Sequence, residues 1–192
     1  FITSHYKADQ ALDIIDTIPN VHLRLMLDGT IDGYDSFEQT IAAASVTPLS
    51  DMVDGTDMLY SSGTTGMPKG IAKPLPMSPI GTSVGLGMLT VMLFGFSEDT
   101  MYLSPAPLYH AAPLRFNMTV HTLGATTIVM ENFDAEEFLQ LTQKYKVTQT
   151  QVVPTMFIRM LKLDSDVRSQ YDCSTITHAV HAAAPCPIET KR

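Results

Sequence analysis

Cysteine is scarce in this chain of 192 residues. Cys173 and Cys186 are the only two, and no further cysteine or close histidine pair completes a cluster of metal-ligand spacing. A structural metal site is therefore not expected, and the thiols read as reduced and partly buried, with nothing that asks for a disulfide. Positive charge is also in short supply. Twelve Lys and Arg stand against twenty Asp and Glu, the net charge is −8, and the basic residues are scattered. Nucleic-acid binders gather positive charge into a patch, because the phosphate backbone supplies much of their affinity, so no nucleic-acid partner is expected. An acidic chain still binds a nucleotide where backbone N–H groups and one well-placed lysine form the site. No basic amino-terminal stretch leads into an apolar run, so no signal peptide is visible and a cytoplasmic location is expected. Tandem repeats and low-complexity tracts are absent as well.

One stretch lacks charge altogether. Residues 74–97 contain no Asp, Glu, Lys or Arg, and residues 80–96 approach the lower end of a membrane-spanning length. The glycines at 81, 85, 87 and 95, with Thr82, Ser83 and Thr90, favour instead a helix buried against a sheet, the small residues allowing close approach. No membrane span is expected; peripheral membrane contact stays open.

What is present alternates between two periodicities. Helices are predicted over residues 8–18, 36–44, 80–94, 111–121, 134–145 and 155–163, the fifth capped by Asp134 with Glu137 three positions on. Strands are predicted over residues 21–27, 58–60, 100–103, 126–130, 147–153 and 176–183. The alternation implies an α/β fold, a mixed and largely parallel sheet flanked by helices, with short apolar strands buried on both faces. No internal break marks a domain boundary, so residues 1–192 read as one α/β unit. Phe1 in place of Met, a strand-like start and a helix-like opening turn at residues 187–192 predict a piece of a longer polypeptide. A core cut in this way would expose apolar surface and favour self-association.

The strongest chemical signal is Tyr60-Ser61-Ser62-Gly63-Thr64-Thr65-Gly66-Met67-Pro68-Lys69-Gly70. Its glycines let the backbone turn tightly and approach a ligand closely. The hydroxyls of Ser61, Ser62, Thr64 and Thr65 donate to phosphate oxygens alongside exposed N–H groups, and Lys69 supplies a cation. The lysine stands three positions after Gly66 and no Ser or Thr follows it, so this is not the usual P-loop. Gly63 and Gly66 also lack the rest of a dinucleotide fingerprint. Residue chemistry alone gives an anion-binding loop.

Residues 60–70 closely resemble the phosphate-loop signature of the adenylate-forming superfamily, which includes acyl-CoA synthetases, luciferases and peptide-synthetase adenylation domains. Three further stretches follow in the same order. Pro107-Leu108-Tyr109-His110 resembles the aromatic-histidine segment beside the acyl pocket. Gln151-Val152-Val153-Pro154-Thr155 resembles the pocket-lining strand and turn. Ala182-Ala183-Ala184-Pro185 resembles the small-residue strand under the adenine and acyl group. The likeness covers essentially the whole chain, as the middle of a large amino-terminal AMP-binding domain, and is closest in appearance to fatty-acid–CoA ligases.

The resemblance implies ATP and Mg²⁺, coenzyme A as co-substrate and a small carboxylic acid as partner. It places Ser61, Ser62, Gly63, Thr64, Thr65, Gly66 and Lys69 around the phosphates, and Ala183, Ala184 and Pro185 near the adenine. His110, Ala111, Val153, Pro154, Ala182 and Ala183 would line the acid site, with Lys69 and His110 as the catalytic candidates. Ala182 and Ala183 stand where members often carry glycine, and Lys73-Pro74-Leu75 replaces a common Thr-His pair. The family's Tyr-Gly-x-Thr-Glu magnesium segment, its ribose-binding aspartate and the carboxy-terminal domain with the catalytic lysine do not occur in these residues, and Lys69 is a different lysine. His5, His22, His121, His178 and His181 lack supporting context; alternation leaves the face of His181 undecided. Two alternatives remain: an adenylation unit that loads an amino or aryl acid onto a carrier-protein thiol, and a non-catalytic fragment that packs against partners. Residues 180–185 offer no carboxylate to pair with an α-ammonium, which favours an acid without one.

Overall fold

A computed structural model describes residues 1–61, 66–82, 86–182 and 184–191. The backbone contacts divide the chain into two compact units, residues 1–51 and 52–192. In the first, β1 (Ile2–Ser4), β2 (Leu25–Leu27) and β3 (Asp35–Ser36) form a parallel sheet in that order, accompanied by α1 (Ala8–Ile14) and α2 (Phe37–Ala43). Ala11, Met26 and Tyr34 make its small core, where the Tyr34 hydroxyl donates to the Ala11 carbonyl at 3.0 Å. Gly33 has φ +84° and a Cβ there would lie 2.2 Å from Ile15 Cδ1, so glycine is required twice over. The strand expected over residues 21–27 shrinks to β2, because its parallel partners reach no further.

The second unit opens with an antiparallel pair, β4 (Leu59–Ser61) and β5 (Lys69–Ile71). α3 (Leu86–Phe94) follows, then a regular alternation: β6 (Met101–Ser104), α4 (Ala111–Thr122), β7 (Thr126–Val129), α5 (Ala135–Tyr145), β8 (Gln149–Val152), α6 (Pro154–Leu161), α7 (Ser165–Arg168), β9 (His178–His181) and α8 (Ile188–Lys191). The last four strands form a wholly parallel sheet in the order β7-β6-β8-β9. Parallel strands need crossovers, and the helices between them supply these and cover both faces.

Strand alternation sorts the core. Leu103 and Val152 point to the side of α5 and α6, where they meet Phe138, Val147 and Met156. Tyr102 points to the other side and joins Phe96, Phe116 and Val120 under α4. The α/β class and the largely parallel sheet expected from the alternation are present. Asp134 caps α5 as its spacing predicts, accepting the N–H groups of Glu136 and Glu137 at 3.0 and 2.9 Å. Asp134→Ala is expected to cost about 1 kcal/mol, seen as a lower denaturation midpoint, while Asp134→Asn keeps most of the cap.

The apolar helix departs from expectation in two ways. It begins at Leu86 rather than residue 80, because Gly81 takes φ +83°, outside the helical range, with its N–H donated to Asp54. Gly87 and Thr90 are buried and the helix packs on α4, yet Met92 and Leu93 remain 73% and 61% exposed. Small residues do permit close approach on one side; no described residue covers the other. No helix among the described residues is long and apolar enough to cross a membrane.

Candidate active site

The flanks of the phosphate-loop motif are the arms of a hairpin. Ser61 pairs with Lys69, Tyr60 with Gly70 and Leu59 with Ile71, so the Ser61 and Lys69 side chains share a face. The sequence predicts a strand at the position of β4 but none after the loop; β5 is three residues long and centred on a glycine, too short to show a period. Gly70 has a definite role. A Cβ there would stand 2.6 Å from Met58 Cε and 3.1 Å from the Tyr60 ring, so its absence lets that ring lie across the hairpin. Gly66 adopts φ +82° in the connection. Lys69 is exposed and makes no ion pair among the described residues. Ser62, Gly63, Thr64 and Thr65, expected at the phosphates, lie outside the described residues, as does Ala183.

The other candidate residues follow three neighbouring parallel strands. After β6 the chain runs through buried Pro105 and Ala106 to exposed Leu108, Tyr109 and His110. His110 is the N-cap residue of α4; its imidazole makes no capping bond and lies 4.5 Å, centroid to centroid, from the Tyr109 ring. Ala111 is the first residue of that helix. After β8, Val153 caps α6 and Pro154 takes its first position, where the missing N–H costs nothing. After β9, the Ala182 N–H reaches the Val152 carbonyl at 3.4 Å, which sets Ala182 beside Val153; exposed Ala184 and Pro185 follow.

The topology makes this edge distinctive. From β6 the chain crosses by α4 to β7 on one side, whereas from β8 it crosses to β9 on the other. Right-handed crossovers in opposite directions leave on opposite faces, so the segments after β6 and β8 diverge, and this topology predicts a crevice at the carboxyl ends of the strands. His110 and Val153-Pro154 stand on its two sides. The face of His181 is now fixed: its ring meets Phe157 edge-on at 6.2 Å on the α6 side, away from α4.

Electrostatics single out a residue pair that sequence reading missed. Arg115, in the second turn of α4, donates to Asp57 through Nη2 at 2.9 Å and Nε at 3.4 Å. The guanidinium holds the Asp57 carboxyl below its usual range, against an opposing push from burial. The partners are far apart in sequence and no local periodicity joins them. A cavity of about 410 Å³ lies beside the pair, lined also by Lys73, Pro74, Thr82 and Thr119; none of His110, Ala111, Val153, Pro154, Ala182, Ala184 and Pro185 lines it. Burial pushes the Tyr102 phenol and the Cys173 thiol up, which keeps both protonated; Cys173 and Cys186 are free and half-buried. Among the described residues no group of three or more His, Cys, Asp or Glu side chains is arranged to hold a metal ion.

The profile of the AMP-binding enzyme family matches residues 2–192. The chain belongs to this family. As an AMP-binding enzyme sequence it is 36% identical, over 140 residues, to 4-coumarate–CoA ligase 2 of Petroselinum crispum, an alignment covering 70% of this chain and 25% of that protein. It is 28% identical to the probable CoA ligase CCL5 of Humulus lupulus, over 71% of this chain and 24% of that protein. The chain thus spans about a quarter of the length of the curated relatives it matches. In fold it is similar to the N-terminal domain of FACL13 from Mycobacterium tuberculosis, with a TM-score of 0.76 at 21% identity over 98% of this chain and 46% of that one. The amide bond synthetase McbA of Marinactinospora thermotolerans gives 0.74 at 22% identity, over 98% and 36%. The AMP-binding fold here is that of the family's amino-terminal domain.

Proposed function

We propose that this AMP-binding chain works within a longer polypeptide that is an ATP-dependent carboxylic acid–CoA ligase acting through an acyl-adenylate. The observation that carries the reading is the convergence of the segments after β6, β8 and β9 at the carboxyl edge of one parallel sheet, around a topological switch point, in a chain that also holds the phosphate-loop hairpin. In the first step a substrate carboxylate oxygen attacks the α-phosphorus of ATP and pyrophosphate leaves. In the second, a thiol sulfur attacks the acyl carbon and AMP leaves. The hairpin positions the β- and γ-phosphates: Ser61, Ser62, Thr64 and Thr65 donate to their oxygens, Gly63 and Gly66 permit the close turn, and Lys69 offsets their charge. Ala111, Val153, Pro154, Ala182 and Ala183 line the acid site and His110 orients the carboxylate, while Ala183, Ala184 and Pro185 flank the adenine. Mg²⁺ accompanies the nucleotide phosphates, and no residue of this chain is assigned to it.

The acid is proposed to be a fatty acid. The relatives named for 4-coumarate, an aromatic acid, support a second reading in which an aryl acid fills the same crevice. Pyrophosphate exchange by the whole polypeptide, across short, medium and long fatty acids and a hydroxycinnamic acid, tests adenylation and separates the two. Exchange with no carboxylic acid at all would sink the proposal.

A further inference from the structure

We propose that the Asp57–Arg115 pair is a brace that sets the hairpin carrying the phosphate loop in register with the acid crevice, making both side chains positioning residues for adenylation. The inference rests on the function proposed above. Among the described residues, this pair is the sole hydrogen-bonded link between residues 52–82, which hold the hairpin, and the later part of the unit, which holds the parallel sheet. The other long-range bonds of residues 52–82 are internal: Asp54 N–H to the Ser78 carbonyl, Gly81 N–H to the Asp54 carboxylate, and the bridge between Val53 and Pro79. Among the described residues the hairpin pairs with no third strand, and no side chain from residues 52–82 enters either apolar cluster of the sheet.

The two ends of the brace sit at informative places. Asp57 lies two residues before β4, so its position sets where that arm begins. Arg115 lies five residues after His110 on the same helix, about 7.5 Å along the axis at 1.5 Å per residue. One end therefore sits on the chain that leads into the first arm of the hairpin, and the other on the helix that begins at His110. The contact is two-pronged, with Nη2 and Nε each meeting a separate carboxylate oxygen, and such a fork fixes orientation as well as distance. The Asp57 side chain is only 13% exposed, so solvent competes weakly for it. In-line attack requires the acid, held at the sheet edge, to meet a phosphorus whose place the hairpin decides, and a displacement of about 1 Å is enough to cost about a hundredfold.

The test is made in the whole polypeptide with ATP and its best acid. Asp57→Asn preserves shape and removes the charge. A brace predicts that kcat for pyrophosphate exchange falls about 10- to 100-fold, while Kd for ATP alone and for the acid alone, by calorimetry, stays within about twofold. Arg115→Lys keeps the charge and loses the fork; it is the milder arm should Asp57→Asn fold poorly, and an intermediate loss of kcat is expected. Exchange of the two charges, Asp57→Arg with Arg115→Asp, is expected to recover part of the rate. A folded Arg115→Lys variant that turns over at the parent rate, or a fall in kcat matched by an equal loss of ATP affinity, would overturn the brace and leave the adenylation reading standing. A parent that exchanges pyrophosphate with no acid would overturn both.

Discussion

Incubated with ATP, Mg²⁺, coenzyme A and a mixture of short, medium and long fatty acids, the 192-residue chain by itself is expected to yield no acyl-CoA and no AMP by mass spectrometry. It carries the hairpin and three segments at the sheet edge, which the proposed function makes binding parts. The resemblance to adenylate-forming enzymes puts the catalytic lysine and its supporting backbone in a separate carboxy-terminal domain. A phosphate loop without those parts retains weak affinity, whereas rate depends on all reacting groups being held in line, so catalysis suffers far more than binding. The whole polypeptide serves as the positive control. Turnover by the chain within tenfold of that control would mean that the essential groups lie within these residues and have been misassigned.

Lys69→Ala in the whole polypeptide is expected to lower pyrophosphate exchange roughly 10- to 150-fold, the equivalent of losing one charge-assisted bond of about 1.5 to 3 kcal/mol. The side chain is exposed on β5 and belongs to none of the apolar clusters, so its removal takes nothing from the core. Thermal unfolding should therefore match the parent. Ser61, opposite Lys69 in the hairpin, gives an internal comparison: Ser61→Ala removes one neutral donor and is expected to cost less than the lysine. Exchange by Lys69→Ala within about twofold of the parent would remove Lys69 from the phosphate site.

The parts of this fold that repeat a period were legible in the sequence. β-branched Thr126, Thr127, Ile128 and Val129 announce β7, and Asp134 with Glu137 announces the start of α5, because in each the local chemistry and the tertiary environment agree. The hairpin was half legible. Its hydroxyls, glycines and lysine declare an anion site by composition, but β5 owes its existence to pairing with β4 rather than to any preference of Lys69-Gly70-Ile71. The early start expected for α3 fails on one dihedral: apolar character continues through residue 80, yet Gly81 has a positive φ that ends any helix. Asp57 and Arg115 were invisible for a different reason. An ion pair 58 positions apart is a property of the folded topology, and a sequence shows only two ordinary charged residues.

The separation of the crevice from the packed interior has an evolutionary consequence. Leu103, Val147, Val152 and Phe138, which hold the sheet to α5 and α6, are buried, whereas Leu108, Tyr109, His110, Ala182, Ala184 and Pro185 stand exposed at the strand ends. Substitutions in the first group carry a cavity penalty of about 2 to 5 kcal/mol for a leucine cut to alanine, a large share of a domain's stability. Substitutions in the second group remove no buried contact and fall within about half a kcal/mol. Under the function proposed above, in which these strand ends hold the acid, lineages can therefore drift from one acid to another by changing a few strand-end residues without first acquiring stabilising mutations elsewhere, and the scaffold supports such divergence at almost no thermodynamic risk.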